Sequence, residues 1–213
     1  MKLWTVCLLA VAWPGVARAQ SLHLRPTYDT TAAAQSGTSA PPEYQPIDRA
    51  ERMHWIVDGI IGPRSLGVGV LASTWSTGFN TPKEWHRSWS GFGKRYLARE
   101  GDVAISNSIE GGLGAIWGED PRYLPSKRKG IWPRVRFAVK TVILAPRADG
   151  HLAPAWGRFA GNVANNVIEN AWLPASVSTP GQTAVRSVNG FVGRLLGNLW
   201  DEFWPDVRKR LSR

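Results

Sequence analysis

Residues 48–61 read DRAERMHWIVDGII, and this stretch decides the fold. Asp48 and Glu51 have the spacing of a capping box, in which each side chain accepts a hydrogen bond from a backbone amide at the start of a helix. The pair Gly62-Pro63 then ends or sharply bends that helix. Between these two signals the stretch therefore predicts an amphipathic α-helix, because apolar residues recur with helical period at Met53, Ile56, Val57, Ile60 and Ile61.

Helix signals of the same kind continue toward the C-terminus. A threonine N-cap followed by a proline occurs at Thr81-Pro82 and at Thr179-Pro180, and Trp132-Pro133 opens a further helix. No stretch alternates convincingly between apolar and polar residues with period two. We therefore predict an all-α fold, a compact bundle of six or seven helices. Two of these helices are expected between Thr81 and Gly118, one running through Tyr96 and one marked by Ile105, Ile109, Leu113 and Ile116.

The N-terminal residues have the features of a secretory signal peptide. Lys2 supplies a positive charge, residues 3–16 are mostly apolar, and Ala17-Arg18-Ala19 gives the small-x-small pattern that precedes a cleavage site. The apolar run is too short for a membrane-spanning helix and contains Pro14. We predict a signal peptide over residues 1–19 and export to the periplasm or the outer membrane, rather than release into the medium.

Three further segments are predicted after the signal peptide. Residues 20–46 are rich in Ser, Thr, Ala, Pro and Gly, a composition typical of a disordered linker. A helical domain follows over residues 47–205, and residues 206–213 form a basic C-terminal tail. Because Cys7, the one cysteine of the sequence, lies in the signal peptide, we expect no disulfide, thiolate nucleophile or cysteine metal ligand in the exported protein.

Positive charge is concentrated in one part of the chain. The formal net charge is +10, and loss of Lys2 and Arg18 with the signal peptide would leave +8. Residues 121–148 contain eight basic residues and no acidic residue. Such a block predicts an anionic lipid surface or an acidic envelope glycan as partner, whereas nucleic acid is disfavoured outside the cytoplasm; a merely solvated basic surface is the alternative. The residues expected to contact the anionic partner are Arg122, Lys127, Arg128, Lys129, Trp132, Arg134, Arg136 and Lys140.

Small residues occur at the spacing of helix contacts. Members four residues apart form runs such as Ser65-Gly69-Ser73-Thr77 and Gly157-Gly161-Asn165. Each glycine inside a helix costs about 1 kcal/mol relative to alanine, so a row of them indicates a compensating close approach of two helices. The contact could lie within a tight bundle, or against a membrane or a second copy of the chain in a homo-oligomer. The predicted packing glycines are Gly69, Gly111, Gly157, Gly161, Gly190, Gly193 and Gly197.

A weak internal repeat supplies the candidate catalytic residues. Two facing glutamates could form the acid/base pair of a hydrolase, with one pKa raised by burial and like charge. They could equally pair with arginine or cap a neighbouring helix, and Asp120 with Arg122 is the second candidate pair. The repeat consists of Arg99, Asn107, Ile109 and Glu110, which recur 59 residues later as Arg158, Asn166, Ile168 and Glu169.

Other catalytic and metal-binding patterns are missing from the sequence. There is no Glu-x-x-His helical motif, no Gly-x-Ser-x-Gly elbow, and each of the four histidines stands alone. The glycine-rich residues 111–118 lack the Lys-Ser/Thr ending of a phosphate loop. We therefore expect no metal and no cofactor, and a non-enzymatic protein rather than an enzyme.

Trp117-Gly118-Glu119-Asp120-Pro121-Arg122-Tyr123 is the most distinctive heptapeptide in the chain. Together with residues 91–96 (GFGKRY) and 107–110 (NSIE), it resembles an uncharacterised group of bacterial secreted or envelope proteins, over roughly residues 55–172. The resemblance implies export and an ordered helical domain, and it implies no activity. In physical terms Pro121 stops a helix, Arg122 can pair with either carboxylate, and Tyr123 can pack on Trp117. The segment is then a rigid corner or, alternatively, a polar binding loop.

A non-enzymatic envelope protein at an anionic membrane surface is the function that best joins export, charge and aromatic content. Residues 132–146 would lie against the surface with their apolar side chains inward and their basic side chains at the headgroups. The alternatives are an extracytoplasmic hydrolase that uses paired helix carboxylates, and an oligomeric membrane assembly built on the glycine stripes.

Overall fold

The structure is a computed structural model that describes residues 44–212. The predicted signal peptide and the predicted linker up to residue 43 lie outside these residues. The described chain is mostly helical, which confirms the predicted class, and it also contains one small sheet. Its elements are α1 (Arg49–Ile61), α2 (Pro63–Gly78), a 3₁₀ turn (Lys83–Trp85), α3 (Trp89–Trp117), α4 (Ile131–Ile143), β1 (Leu144–Pro146), β2 (Leu152–Pro154), α5 (Trp156–Glu169) and α6 (Pro180–Leu211).

The helix starts predicted at Asp48, Pro63 and Thr179 are present in the structure. Both hydrogen bonds of the capping box are present in α1, at 2.7 Å from the Glu51 amide to Asp48 and at 3.1 Å from the Asp48 amide to Glu51. Gly62 has an extended backbone and separates α1 from α2, which begins at Pro63. The Thr179 hydroxyl accepts the Gln182 amide hydrogen at 3.3 Å and caps α6.

The predicted helix start at Thr81 is wrong. Residues 81–86 form a loop with the 3₁₀ turn, and α3 begins at Trp89 with Ser88 as its N-cap. The two helices expected before Gly118 are therefore one helix of 29 residues. The cause is tertiary, because Arg95 reaches back from α3 and its guanidinium holds the loop through three backbone carbonyls. These are the carbonyls of Thr81, Pro82 and His86, at 2.8 to 2.9 Å.

The sheet and both ends of the helical domain also differ from the prediction. Strands β1 and β2 pair antiparallel around a turn in which Gly150 has φ +81°; each strand has only three residues, too few to show an alternating pattern. Residues 206–211, predicted as a tail, continue α6. At the other end, the Tyr44 hydroxyl donates to Asp120 at 3.1 Å, so the predicted linker does not extend through residue 46.

Helices α3 and α5 form an antiparallel pair at the centre. A Cβ on Gly157 would lie 3.0 Å from the carbonyl oxygen of Glu110, and one on Gly161 would lie 2.8 Å from that of Ser106. One turn further, Asn165 donates to Asp102. Helices α1 and α2 pack on α3, whereas α6 packs on both α5 and α4.

Polar side chains fill the interior of the described residues, and large apolar side chains cover much of their surface. The buried hydrophobic residues there are small or medium in size: Ala138, Val142, Ala145 and Ala155. By contrast, many residues of the apolar stripes that predict the helices are exposed, as Met53, Ile61 and Val188 show at 53 to 63% exposure. The buried polar and charged residues are Ser73, Arg95, Glu110, Glu119, Asp120, Thr141, Arg158, Asn162, Asn165, Asn166, Glu169, Asn198 and Glu202.

Candidate functional site

Two arginines bind Glu110 at the centre of the domain. The Arg158 Nε on α5 donates to the Glu110 carboxylate at 2.9 Å, and the Arg194 guanidinium on α6 donates to its other oxygen. Glu110 and Arg158 are only 4% and 6% exposed. One ion-paired cluster therefore joins four helices, because Arg158 also donates to carbonyls at the C-terminal end of α4, those of Thr141, Val142 and Leu144.

A second cluster surrounds Glu169, near the C-terminal end of α5. The Arg186 Nε on α6 lies 3.3 Å from its carboxylate, and Asp102 lies close enough to repel it. Burial and the Asp102 charge raise the pKa of Glu169 to about 7, against the opposing effect of Arg186. Burial raises the pKa of Asp102 to about 6, although Arg99, Arg186 and the hydrogen bond from Asn165 oppose it. Both carboxyl groups therefore exchange protons close to neutral pH.

The two clusters border one cavity of about 820 Å³ between α2, α3, α5 and α6. Glu110 and Glu169 both line it, but they do not form the acid/base pair considered from the sequence. Because Asn165 lies beside Asp102, Glu169 falls about one turn further still from Glu110, roughly 15 to 18 Å along α3. The carboxyl neighbour of Glu169 is Asp102 instead.

The two copies of the internal repeat lie on α3 and α5, which pack against each other. The two copies of the repeat run antiparallel, so Glu110 and Glu169 occupy related positions. Each glutamate pairs with one arginine of α6: Glu110 with Arg194, and Glu169 with Arg186. At an offset of 59, Asp102 of α3 corresponds to Gly161 of α5. Only the Glu169 end therefore carries an additional carboxylate, which is why the two ends of the cavity differ in charge.

Glu119 closes the N-terminus of α5. Its carboxylate accepts the backbone amides of Trp156 and Gly157 at 3.0 and 2.9 Å, and the Arg147 guanidinium lies 3.3 Å away. An anionic side chain in this position satisfies free amides and interacts favourably with the helix dipole. With Glu119 only 3% exposed, this part of the heptapeptide acts as a helix cap.

Asp120 and Arg122 are fixed in a second network beside this cap. Asp120 is 1% exposed and accepts hydrogen bonds from Arg122 and from the Tyr44 hydroxyl. Burial and the Asp120 carboxylate raise the pKa of Tyr44 to about 12. Arg122 also reaches Glu51 at 3.1 Å, so it ties the corner to the first turn of α1. This pair therefore has the contacts of a rigid corner.

Glu202 on α6 anchors the segment that follows. The Tyr123 hydroxyl donates to it at 2.6 Å, so Tyr123 does not take up the predicted packing on Trp117. The Ser126 amide and hydroxyl add hydrogen bonds at 2.8 and 2.7 Å, and the Arg134 Nε adds another at 2.8 Å. Burial acts to raise the pKa of Glu202, but these hydrogen bonds outweigh it and hold that pKa below its ordinary value.

The residues predicted to contact an anionic surface divide into two groups. Arg122 and Arg134 belong to internal ion pairs, and Arg134 additionally binds Asp206 and covers the Phe203 ring at 4.3 Å. Arg147, in the same basic block, pairs with Glu119. The remaining members are exposed: Lys127, Arg128, Lys129, Trp132, Arg136 and Lys140. The basic surface is therefore smaller than the sequence predicts.

The predicted packing glycines also divide. Gly157 and Gly161 allow backbone-to-backbone approach of α3 and α5, and three others face a side chain of another helix. Those three face Glu100 (Gly69), Ile56 (Gly111) and Asn162 (Gly190). Gly193 has no such neighbour within 4 Å among the described residues, and Gly197 has only the Arg64 guanidinium at 3.8 Å. These last two glycines do not serve a close contact between described helices.

Several residues of the two clusters are missing from the sequence-based candidates, although a signal for them exists. Polar residues recur with helical period on the same helices as the apolar stripes, and these polar stripes form the interior. On α6 the polar stripe is Arg186, Arg194, Asn198 and Glu202; on α5 it is Arg158, Asn162, Asn165, Asn166 and Glu169.

Comparison of the chain with models of protein families, with curated proteins and with solved structures finds no match. Among the described residues, one stretch, Arg49–Gly78, is long and apolar enough to cross a membrane by length and composition, and Gly62 interrupts its helix. No group of three or more metal-ligating His, Cys, Asp or Glu side chains occurs between residues 44 and 212.

Proposed function

We propose that this protein is a non-enzymatic component of the bacterial cell envelope that binds peripherally to an anionic lipid membrane through α4 and the residues just before it. The observation that carries the proposal is the outer surface of α4. Trp132, Val139 and Ile143 are 74, 49 and 50% exposed there, and the exposed Arg136 and Lys140 lie among them. Aromatic, aliphatic and cationic side chains on one exposed helix surface are typical of interfacial membrane binding.

A lipid surface accounts for this combination better than a glycan does. Basic residues near an anionic bilayer contribute about 1 kcal/mol each, and tryptophan favours the zone between headgroups and acyl chains. An acidic glycan would use the cations but leave Trp132 and Val139 in water. Trp200 and Trp204 of α6, the helix that packs against α4, stack on each other and are also exposed, at 47 and 37%.

The distribution of apolar residues supports the same proposal. Apolar area exposed to water costs roughly 25 cal/mol per Å², and patches of several hundred Å² usually mark an interaction surface. Here the ion-paired clusters hold the helices together and the aliphatic residues point outward. We propose that the predicted signal peptide directs export before the protein binds the membrane, as in the envelope-protein group that the chain resembles. The predicted disordered linker would then precede a compact bundle whose helix contacts are lined by Gly, Ala and Ser.

Co-flotation with vesicles tests the proposal. The protein should float with phosphatidylglycerol/phosphatidylcholine vesicles, and binding should weaken steeply as salt is added. Replacing Lys129, Arg136 and Lys140 together with Gln removes three cations without touching an ion pair described above, and it should weaken binding about 100-fold. Arg134 is left unchanged because it holds Glu202.

The matched control variant replaces Lys83, Arg87 and Lys94 with Gln. These three residues are also exposed, and they lie in the loop before α3 and in its first turns. The charge change is the same, so a surface-specific interaction predicts near wild-type binding. Equal binding to pure phosphatidylcholine vesicles, or an equal loss in both triple variants, would contradict the proposal.

A further inference from the structure

The Glu110 end of the cavity has one more cationic than anionic side chain, and the cations are buried (Arg158) or three-quarters buried (Arg194). Two guanidiniums, those of Arg158 and Arg194, share the single Glu110 carboxylate. Two charged groups affect the pKa of Arg194: Glu110 raises it and Arg158 lowers it. A buried charge without a counter-ion is costly, so a cluster with one excess cation favours an anionic partner.

Some guanidinium N–H groups of Arg158 and Arg194 make no hydrogen bond to any residue that the structure describes. Arg194 donates to Glu110 through one Nη, and its Nε and second Nη make no hydrogen bond within residues 44–212. The same holds for one Nη of Arg158. Both residues line the 820 Å³ cavity, and the Arg194 side chain is 23% exposed, so a solute can reach it. Burial lowers the pKa of Arg194 to about 10, which leaves the group protonated at neutral pH.

We propose that the cavity binds a small molecule with one oxyanion group, a phosphate or a carboxylate, held between Arg158 and Arg194. Guanidinium groups match the geometry of these oxyanions and form charge-assisted hydrogen bonds with them. The amide side chains of Asn162, Asn189 and Gln182 line the same cavity and suit the hydroxyl or amide groups of a neutral polar body.

The other end of the cavity restricts the ligand class. Asp102 lies eight residues from Glu110 along α3, about 12 Å, and Glu169 lies next to it. These carboxyl groups would repel a second anionic group on the ligand, particularly above pH 7 where both are ionised. The site therefore favours a single phosphate or carboxylate group on an uncharged body over a ligand with two separate anionic groups.

Calorimetric titration with glycerol 3-phosphate and with inorganic phosphate, in chloride buffer at constant ionic strength, tests this proposal. Saturable binding with a Kd of about 1 mM or tighter is expected for the wild-type protein. Arg194→Met should lower the affinity about tenfold or more while leaving the thermal midpoint in chloride buffer unchanged or higher, because it removes the excess cation. Arg64 is exposed, so the Arg64→Met protein is the matched control and should bind glycerol 3-phosphate as the wild-type protein does.

The outcomes are separable from those of the vesicle experiment. The variant with Gln at 129, 136 and 140 should retain glycerol 3-phosphate binding, and competition by phosphatidic acid vesicles would identify a lipid headgroup as the source of the oxyanion. Absence of saturable binding to the wild-type protein overturns the proposal even if Arg194→Met fails to fold. Unchanged affinity in a folded Arg194→Met protein overturns it as well.

Discussion

Replacement of Glu110 with Gln should destabilise the fold more than any other single loss of charge discussed here. Glutamine keeps the size of the side chain but removes the negative charge that Arg158 and Arg194 share. The buried Arg158 and the partly exposed Arg194 would then face each other across an amide. Arg158 would keep its three carbonyl acceptors and Arg194 its cation–π contact with Trp55 at 6.0 Å, but the one amide oxygen of glutamine replaces two carboxylate oxygens and carries no charge.

The expected magnitude follows from the burial of the pair. Glu110 and Arg158 are 4% and 6% exposed, and removal of one partner from a buried ion pair costs about 3 to 5 kcal/mol. Native domains are stabilised by only about 5 to 15 kcal/mol, so this loss is a large fraction of the total. For a domain of this size, 1 kcal/mol corresponds to roughly 2 to 4 °C, and the thermal midpoint should fall by roughly 6 to 20 °C.

Urea and thermal unfolding followed by tryptophan fluorescence, in a buffer free of phosphate, measure this loss. The matched control is Asp201→Asn, which breaks the ion pair with Arg64. That pair is 36 and 55% exposed, so its loss should cost about 1 kcal/mol or less. Adding Arg194→Gln to Glu110→Gln should recover part of the stability, because only one buried cation then remains. A Glu110→Gln loss no larger than that of Asp201→Asn would refute the reasoning.

Two further predictions concern the neighbouring clusters. The pKa of Glu169 rises from 4.5 to about 7 on folding, so the folded state holds its proton more tightly, and this contribution to stability is lost as pH rises from about 4.5 to 7. Glu169→Gln should therefore match the wild type in free energy of unfolding near pH 4 and exceed it by on the order of 3 kcal/mol near pH 8. A difference that does not depend on pH would contradict this. Gly161→Ala places a Cβ 2.8 Å from the Ser106 carbonyl oxygen and should cost about 1 to 3 kcal/mol in urea unfolding, whereas Gly193→Ala should be neutral or stabilise by up to about 1 kcal/mol; equal effects would show that α3 and α5 can separate at no cost.

Local signals in the sequence suffice for most helix starts, because a cap involves residues only three apart. Asp48 with Glu51, and Thr179 with Gln182, form the hydrogen bonds that their spacing predicts. At Thr81 the same signal fails because a residue fourteen positions later, Arg95, binds the loop carbonyls. No pattern within a few residues of Thr81 contains that information.

The orientation of the helices is the part that sequence patterns leave open. A helix with an apolar stripe and a polar stripe can turn either one inward, and the period alone does not distinguish the two. The apolar stripe is the usual choice in water. In this chain the polar stripes face inward, because arginine and glutamate positions on α3, α5 and α6 match one another across the helix contacts.

Matched charges also explain how a polar interior can specify one arrangement of helices. A buried ion pair adds little net stability, since desolvation offsets the attraction between its charges, but a mismatched pairing leaves a buried charge alone and costs several kcal/mol. Sliding α6 by one turn along its neighbours would separate Arg186 from Glu169 and Arg194 from Glu110 at the same time. Because the register is fixed in this way, the outward aliphatic and tryptophan residues are not needed to hold the helices together. They are left exposed, which is the arrangement that the proposed binding to an anionic membrane requires.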